Sequence, residues 1–323
     1  MGPVRIGRNR FLVLGRAGMD LYADPPGTRS EEARQFSAAL GGSAANIAVG
    51  IARLGGVASL ISAVSDDAIG RFTVNELRRY GVGSDHVRVV GGEARNSLAV
   101  VETRLENCQS VIFRNGAADF QIGADQVRAV PYGDFGALII TGTSLAVEPS
   151  RSASFLAMEL AGKAGLPIIL DIDYRPYSWS SAENAARICS AAAALCEAVV
   201  GNDEEFAMMA GGAGDGLALA SHLATSTASI VIYKMGDRGA ITFQRDGSFR
   251  TGVFRVAALK PTGAGDAFMG ALVTSLAAGF DIRQAVLRGS AAAAIVVTRV
   301  GCAPAMPTPE ELDQFIATQP HPT

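Results

Sequence analysis

Five short runs along the chain are almost wholly apolar: "FLVLG" (11–15), "ALIITGT" (137–143), "PIILDID" (167–173), "AVVGN" (198–202) and "IVIYKMG" (230–236). Runs of this length without alternation predict strands covered on both faces. Between them lie longer alanine-rich segments of helical character, among them 150–165, 182–195 and 263–278. Strand and helix in alternation predict an α/β fold, a mostly parallel, doubly wound sheet with helices on both sides. Ligands bind such sheets outside the carboxyl ends of the strands, so polar residues just after strands are the candidates for function.

Two segments break the alternation. Residues 16–40 follow the first strand with turn-rich sequence, "DPPG", before any helix begins. Residues 87–116 contain "VRVV", "SLAVVETRL" and "SVIFR", consecutive strands with partial polar–apolar alternation. Together they predict a discontinuous β lid, inserted in one α/β domain over 1–323 and flanking the ligand end of the sheet. "ITFQRDGSFRTGVF" (241–254) carries Asp-Gly between alternating residues and predicts a β-hairpin.

Charge and cysteine usage narrow the chemistry. With 28 Lys+Arg against 31 Asp+Glu the net charge is −3, and no basic run suggests nucleic acid. No apolar stretch reaches membrane-spanning length, and the N-terminal apolar run is too short for a signal segment, so a cytoplasmic protein is expected. The four cysteines (108, 189, 196, 302) form no C-x-x-C pair and read as buried thiols. Three histidines (His86, His222, His321) leave little material for a His-based nucleophile, so carboxylates and backbone amides are the expected chemical groups.

Two glycine-rich stretches stand out. In "KPTGAGDAFMGALV" (260–273) a helix begins directly after Gly263-Ala264-Gly265, leaving unpaired N–H groups that favour an anion. Asp266 can be a carboxylate that merely suits the helix dipole, or the base beside a phosphoryl group. In "LGGSAANIAVGIARLGG" (40–56), Asn46 stands one turn into an otherwise apolar helix, where a buried amide needs partners that a polar ligand such as a sugar could supply. Neither a Walker A sequence nor G-x-G-x-x-G after the first strand is present.

These two stretches resemble the signature motifs of the PfkB (ribokinase-like) carbohydrate kinases. "GNDEE" (201–205) and "KMGDRGA" (234–240) are similar to the family's N-x-x-E segment and K-x-G-x-x-G turn, in the expected order. The resemblance implies a ribokinase-like sheet with a β lid, ATP as phosphoryl donor, Mg²⁺ and a homodimer through the lid. By position it implies Asp266 as the catalytic base and the amides of Gly263, Ala264 and Gly265 as the anion hole. It implies Asn202 and Glu205 ordering Mg²⁺ and the nucleotide phosphates, largely through water, Lys234, Gly236 and Gly239 lining the nucleotide site, and Asp20, Gly42 and Asn46 on the sugar. Glu205 could instead be a first-turn helix carboxylate, and Lys234 a solvated strand end. Where relatives often carry D-T-x-G-A-G-D, this chain has Lys260, which puts a monovalent-cation site there in doubt; its ammonium could stand in for the ion.

"GRAGMDLY" (15–22), "RNGAAD" (114–119), "TGTSLAVEPS" (141–150), "DIDYRPYSW" (171–179) and "KPTGAGD" further resemble the inositol-catabolic branch of the family, whose acceptor is 5-dehydro-2-deoxy-D-gluconate. Arg114 and Arg175 fit an acidic acceptor, since a guanidinium offers paired donors to a carboxylate. The plain alternative pairs Arg175 with Asp171 or Asp173 and Arg114 with Asp119. A kinase for 2-keto-3-deoxygluconate or for a neutral sugar such as fructose or ribose, and an inactive sugar-binding regulator, are the other readings.

Overall fold

A computed structural model describes residues 6–212, 214–320 and 322; His321 lies outside them. The first apolar run becomes β1 (Arg10–Leu14), and the chain then leaves the sheet to form β2 (Gly18–Asp24) and β3 (Gln35–Gly41). After α1 (Ser43–Arg53) it returns as β4 (Val57–Ser65), then α2 (Ala68–Arg79) and β5 (Val87–Val90). Next come β6 (Ser97–Val101), β7 (Ser110–Phe113) and the short α3 (Ala124–Arg128). The main alternation follows: β8 (Ala137–Thr141), α4 (Ser150–Lys163), β9 (Ile168–Asp171), α5 (Ala182–Ala193) and β10 (Ala198–Asn202). It continues through α6 (Asp203–Met209), α7 (Gly216–Ser226), β11 (Ile230–Lys234), β12 (Ala240–Gln244) and β13 (Gly247–Thr251). Helices α8 (Ala264–Ala277), α9 (Ile282–Val297) and α10 (Pro309–Thr318) close the chain.

Nine strands form the main sheet in the order β13-β12-β11-β10-β9-β8-β1-β4-β5, parallel except at β12 and β13. Alternate side chains explain why the strands read as unbroken apolar runs. Phe11 and Val13 of β1 face a layer containing α1, α8 and α9, while Leu12 and Leu14 face one containing α4, α5 and α6. Both sets are buried, as a doubly covered sheet requires. The strand order reverses at β1, which opens a crevice at the carboxyl ends beside it.

A separate four-stranded sheet, ordered β3-β2-β6-β7, forms the appendage. The run at 87–90, expected among the lid strands, is corrected: β5 pairs in parallel with β4 and edges the main sheet. It follows α2 as a short crossover strand, and a half-exposed edge strand shows the same partial alternation as a lid strand. The second lid segment therefore begins at β6. The expected hairpin is β12 and β13, with Gln244 opposite Gly247.

One crossing fixes the site. Helices α1 and α8 meet at glycines, and a Cβ on Gly270 would lie 3.1–3.2 Å from the Gly50 backbone and Ile51 N. Asn46 and Asp266 stand one turn earlier on the same two helices.

Candidate active site

The turn into α8 is built for close approach. Gly263, the residue before the helix, has φ +85°, and a Cβ there would come within 2.9 Å of Cys302 Sγ. No side chain caps the helix, so the amides of its first turn are left to another partner. Lys234, at the carboxyl end of β11, aims its ammonium at this turn: Nζ would stand 3.5 Å from a Cβ on Gly265, and it lies 5.6 Å from the Phe268 ring centroid. Amides, helix dipole and ammonium thus converge on one point.

Asp266 sits in that first turn and accepts a hydrogen bond from Asn46 Nδ2 at 2.8 Å. It keeps a part-open surface, yet it lies deep among protein atoms. Burial, reinforced by the Asp173 carboxylate, pushes its carboxyl up to about 7. Asn46 Oδ1 and Asp20 Oδ1 are buried with no hydrogen-bond partner among the described residues. The other Asp20 oxygen accepts from the Tyr22 hydroxyl at 3.1 Å. Burial raises the Asp20 carboxyl, with Arg16 opposing. Asn46 Oδ1 belongs to the amide that meets Asp266, and Asp20 Oδ1 lies against Gly41; orphan acceptors of this kind suit a ligand rich in hydroxyl donors. Gly42 lines the same corner: its φ is +99°, and a Cβ would lie 2.4 Å from Arg16 O.

Further carboxylates gather around Lys234 and Asp266. Asp171 is buried at the end of β9, and desolvation raises it well above the ordinary range despite Lys234; Asp173, Glu205 and Asp266 add to the rise. Asp173 holds φ +37°, an uncommon backbone for a non-glycine, and accepts from Thr143 Oγ1 at 3.2 Å. Glu205 accepts the N–H groups of Asn202 (2.7 Å) and Tyr174 (3.1 Å), while Asn202 Oδ1 accepts from Glu205 N–H at 2.8 Å. Asn202 and Glu205 therefore form the capping box of α6, the structural role left open in the sequence. No set of three acidic, His or Cys side chains is arranged to ligate an ion directly among the described residues. Asp171, Asp173, Glu205 and Asp266 lie close enough to act on one another, with Lys234 and Arg175 to offset them, a charge that a hydrated divalent cation would relieve, which fits Mg²⁺ held through water.

Gly236 (φ +59°) and Gly239 (φ +82°) form the turn between β11 and β12, next to Lys234. Gly239 also has an internal reason, since a Cβ would lie 2.1 Å from Thr251 O.

Both arginines singled out in the sequence take internal partners. Arg114 is buried, pairs with Asp119 through two nitrogens, donates to Thr143 O at 3.0 Å and lies over the Phe120 ring at 4.2 Å. Arg175 pairs with Asp173 at 2.9 Å and donates to Tyr174 O at 3.1 Å. Sequence reasoning passed over Arg16, which is buried between core and lid with Nη1 3.4 Å from Ser97 Oγ. Its signal was a charge placed directly after the first strand. Lys260 is fully buried, and its Nζ donates to Thr262 O at 2.5 Å, within the turn that leads to Gly263.

A model of the pfkB family carbohydrate kinases matches residues 8–309. A 5-dehydro-2-deoxygluconokinase from Photobacterium profundum is 40% identical over 313 residues, 95% of each chain. Among solved structures, a fructokinase with bound ATP from Xylella fastidiosa superposes with a TM-score of 0.85 at 25% identity, covering 96% of this chain and 98% of its own. A fructokinase double mutant from Vibrio cholerae O395, bound to fructose, ADP and potassium ion, gives 0.84 at 25% identity over 97% and 99%. The architecture is the ribokinase-like one.

Proposed function

The chain belongs to the pfkB family of carbohydrate kinases, and from that premise we propose that it transfers the γ-phosphoryl group of ATP to the terminal hydroxyl of 5-dehydro-2-deoxy-D-gluconate. The observation that carries the reaction type is the juxtaposition at the start of α8. A carboxyl held up to about 7 and tethered by Asn46 adjoins uncapped amides and the Lys234 ammonium. The acceptor assignment rests on the relatives of that name, 36–40% identical over nearly the whole chain.

In this reading Asp266 accepts the proton of the attacking hydroxyl. Asn46 holds the carboxylate in place and, with Asp20, takes the acceptor's other hydroxyl protons at its orphan oxygen. The amides of Gly263, Ala264 and Gly265 and the Lys234 ammonium stabilise charge on the transferred group. Gly236 and Gly239 let the backbone pass close to the nucleotide. Asn202 and Glu205 would hold Mg²⁺ through water, and the ion would neutralise phosphate charge when bound. The lid, carrying Asp20 and Tyr22 on its inner face, keeps water from competing with the acceptor. Buried Lys260 would place its ammonium behind the anion turn in place of a monovalent ion; burial pulls its pKa down, and Asp266 and Asp20 among others oppose that.

The enzyme acts in the cytoplasm, in inositol catabolism, as a homodimer joined through its lids. No described helix is long and apolar enough to cross a membrane. Cross-strand pairing puts Phe36, Val111 and Phe113 on the lid face opposite Asp20 and Tyr22, and all three are exposed, at 41%, 47% and 56%. An apolar face of this kind on a small sheet calls for a partner.

Internal pairing of Arg114 and Arg175 favours a second reading, a neutral ketose acceptor. ADP formation from MgATP with 5-dehydro-2-deoxygluconate, 2-keto-3-deoxygluconate, fructose and ribose, each with and without potassium, decides. The first acid should give the highest kcat/KM, with no potassium requirement. A preference for fructose would make the second reading correct, binding without turnover would make the protein a regulator, and strong activation by potassium would remove the role given to Lys260.

A further inference from the structure

Three guanidiniums approach the cleft between lid and core, and two are neutralised from within. Arg114 is engaged by Asp119, Thr143 O and Ser178 Oγ, and Arg175 by Asp173 and Tyr174 O. Arg16 differs. Only 9% of it is exposed, its one side-chain hydrogen bond is the 3.4 Å contact to Ser97 Oγ, and it enters no ion pair among the described residues. A guanidinium carries five N–H donors, so burial with a single weak bond leaves most of them unused. Burying a charge without a paired counter-charge is costly, and such a group is retained where something else completes it.

Its surroundings say what that something is. The Arg16 main chain is locked to the entry of α1, with its carbonyl accepting from Ala45 N–H at 3.2 Å and Gly42 packed against it. The guanidinium reaches across to Ser97, at the start of lid strand β6, so the side chain bridges the seam of core and lid. Through space it is the leading charge opposing the burial that raises the Asp20 carboxyl and the Tyr177 phenol, and a lesser one at Asp266. The unused donors therefore lie on the acceptor side of the cleft, near the base. Two other basic groups act on this corner, Lys260 on Asp20 and Arg175 on Asp266, but Lys260 Nζ is turned to Thr262 O and Arg175 is paired with Asp173, while Lys234 stands by Gly265.

We propose that Arg16 is the residue that binds the carboxylate of the acceptor, so that preference for a sugar acid over a neutral sugar depends on it rather than on Arg114 or Arg175. This rests on the sugar-acid reading above. A planar fork of N–H groups suits a carboxylate, whereas sugar hydroxyls would leave the buried charge uncompensated. Arg114 spends Nε and both Nη atoms on internal partners, and Arg175 has its charge met by Asp173 and a side chain 44% exposed, so neither is a buried charge awaiting a partner as Arg16 is.

The test compares wild type, Arg16→Gln and Arg16→Lys on 5-dehydro-2-deoxygluconate and on fructose, with KM for MgATP and melting temperature measured alongside. Wild type should prefer the acid. Arg16→Gln should raise KM for the acid about 10- to 100-fold, the span of one lost charge-assisted hydrogen-bonding group. Its preference for the acid over fructose should collapse, with KM for MgATP unmoved. Arg16→Lys keeps the charge without the fork, so it should retain part of the preference; it also serves if the Gln variant does not fold. An unchanged acid KM in a folded variant overturns the proposal. So does an equal loss on both sugars, or a loss confined to MgATP, which would assign Arg16 to the donor phosphates. A wild type that prefers fructose instead removes the sugar-acid reading itself, and this inference with it.

Discussion

Asp266 shows how one side chain ties activity and stability to pH with opposite signs. Only its ionised form can take a proton, so kcat/KM should fall as pH drops through about 7. Asp266→Asn still accepts the Asn46 N–H but has no basic oxygen, and kcat should fall about 10²- to 10⁴-fold. Stability runs the other way. A carboxyl at about 7 in the fold, against an ordinary 3.8, binds its proton more tightly folded than unfolded. Native stability is therefore lost as pH rises between those values, and Asp266→Asn should be more stable than wild type by up to about 4 kcal/mol above neutral pH. Melting curves at acid and at alkaline pH check this: an equal difference at both would mean the carboxyl is not raised. Asp266 and Asn46 were legible in the sequence because each is a polar residue beside glycines at the head of an apolar helix. Arg16 was not, because an arginine after a strand reads as solvated until the lid strand β6 is known to cover it.

At the level of elements, the glycine crossing of α1 and α8 sets the distance between Asp266 and Asn46. Adding a methyl at Gly270 places it 3.1 Å from the Gly50 carbonyl carbon, where only the backbone of α1 can yield. Gly270→Ala should cost about 1–3 kcal/mol as an overpacked contact and should slow turnover by displacing Asn46 from Asp266. Gly50→Ala meets nothing nearer than Met306 Sδ at 3.4 Å. With alanine the better helix former, that variant should be neutral or gain up to about 1 kcal/mol. Urea unfolding of both decides; equal behaviour would show that the crossing does not depend on the absent side chain at 270. Both glycines were visible in the sequence, but a contact between residues so far apart is a property of packing that no local pattern carries. The same limit explains β5. Its four residues fit either sheet, and only the crossover through α2 assigns them to the main one.

For the whole molecule, the division between core and lid was readable from where alternation stopped, whereas the lid's outward apolar face became visible only through strand register. Phe113→Asp puts a charge in the middle of the proposed interface, so sedimentation should show a dimeric wild type and a monomeric variant. A monomeric wild type at assay concentrations would refute the shared lid. Within each subunit the labour is unevenly spread. The proposed proton acceptor Asp266 and the proposed anion-holding turn both belong to the start of one helix, α8, with Lys234 beside it. Asp20 belongs to the lid, and Arg16 to the link between β1 and the lid. A change of acceptor can therefore be made by re-cutting the lid and its root while the transfer apparatus is inherited whole. The scaffold is in this sense modular in chemistry although its lid is discontinuous in sequence: specificity can drift from one carbohydrate to another without the reaction ever having to be reinvented.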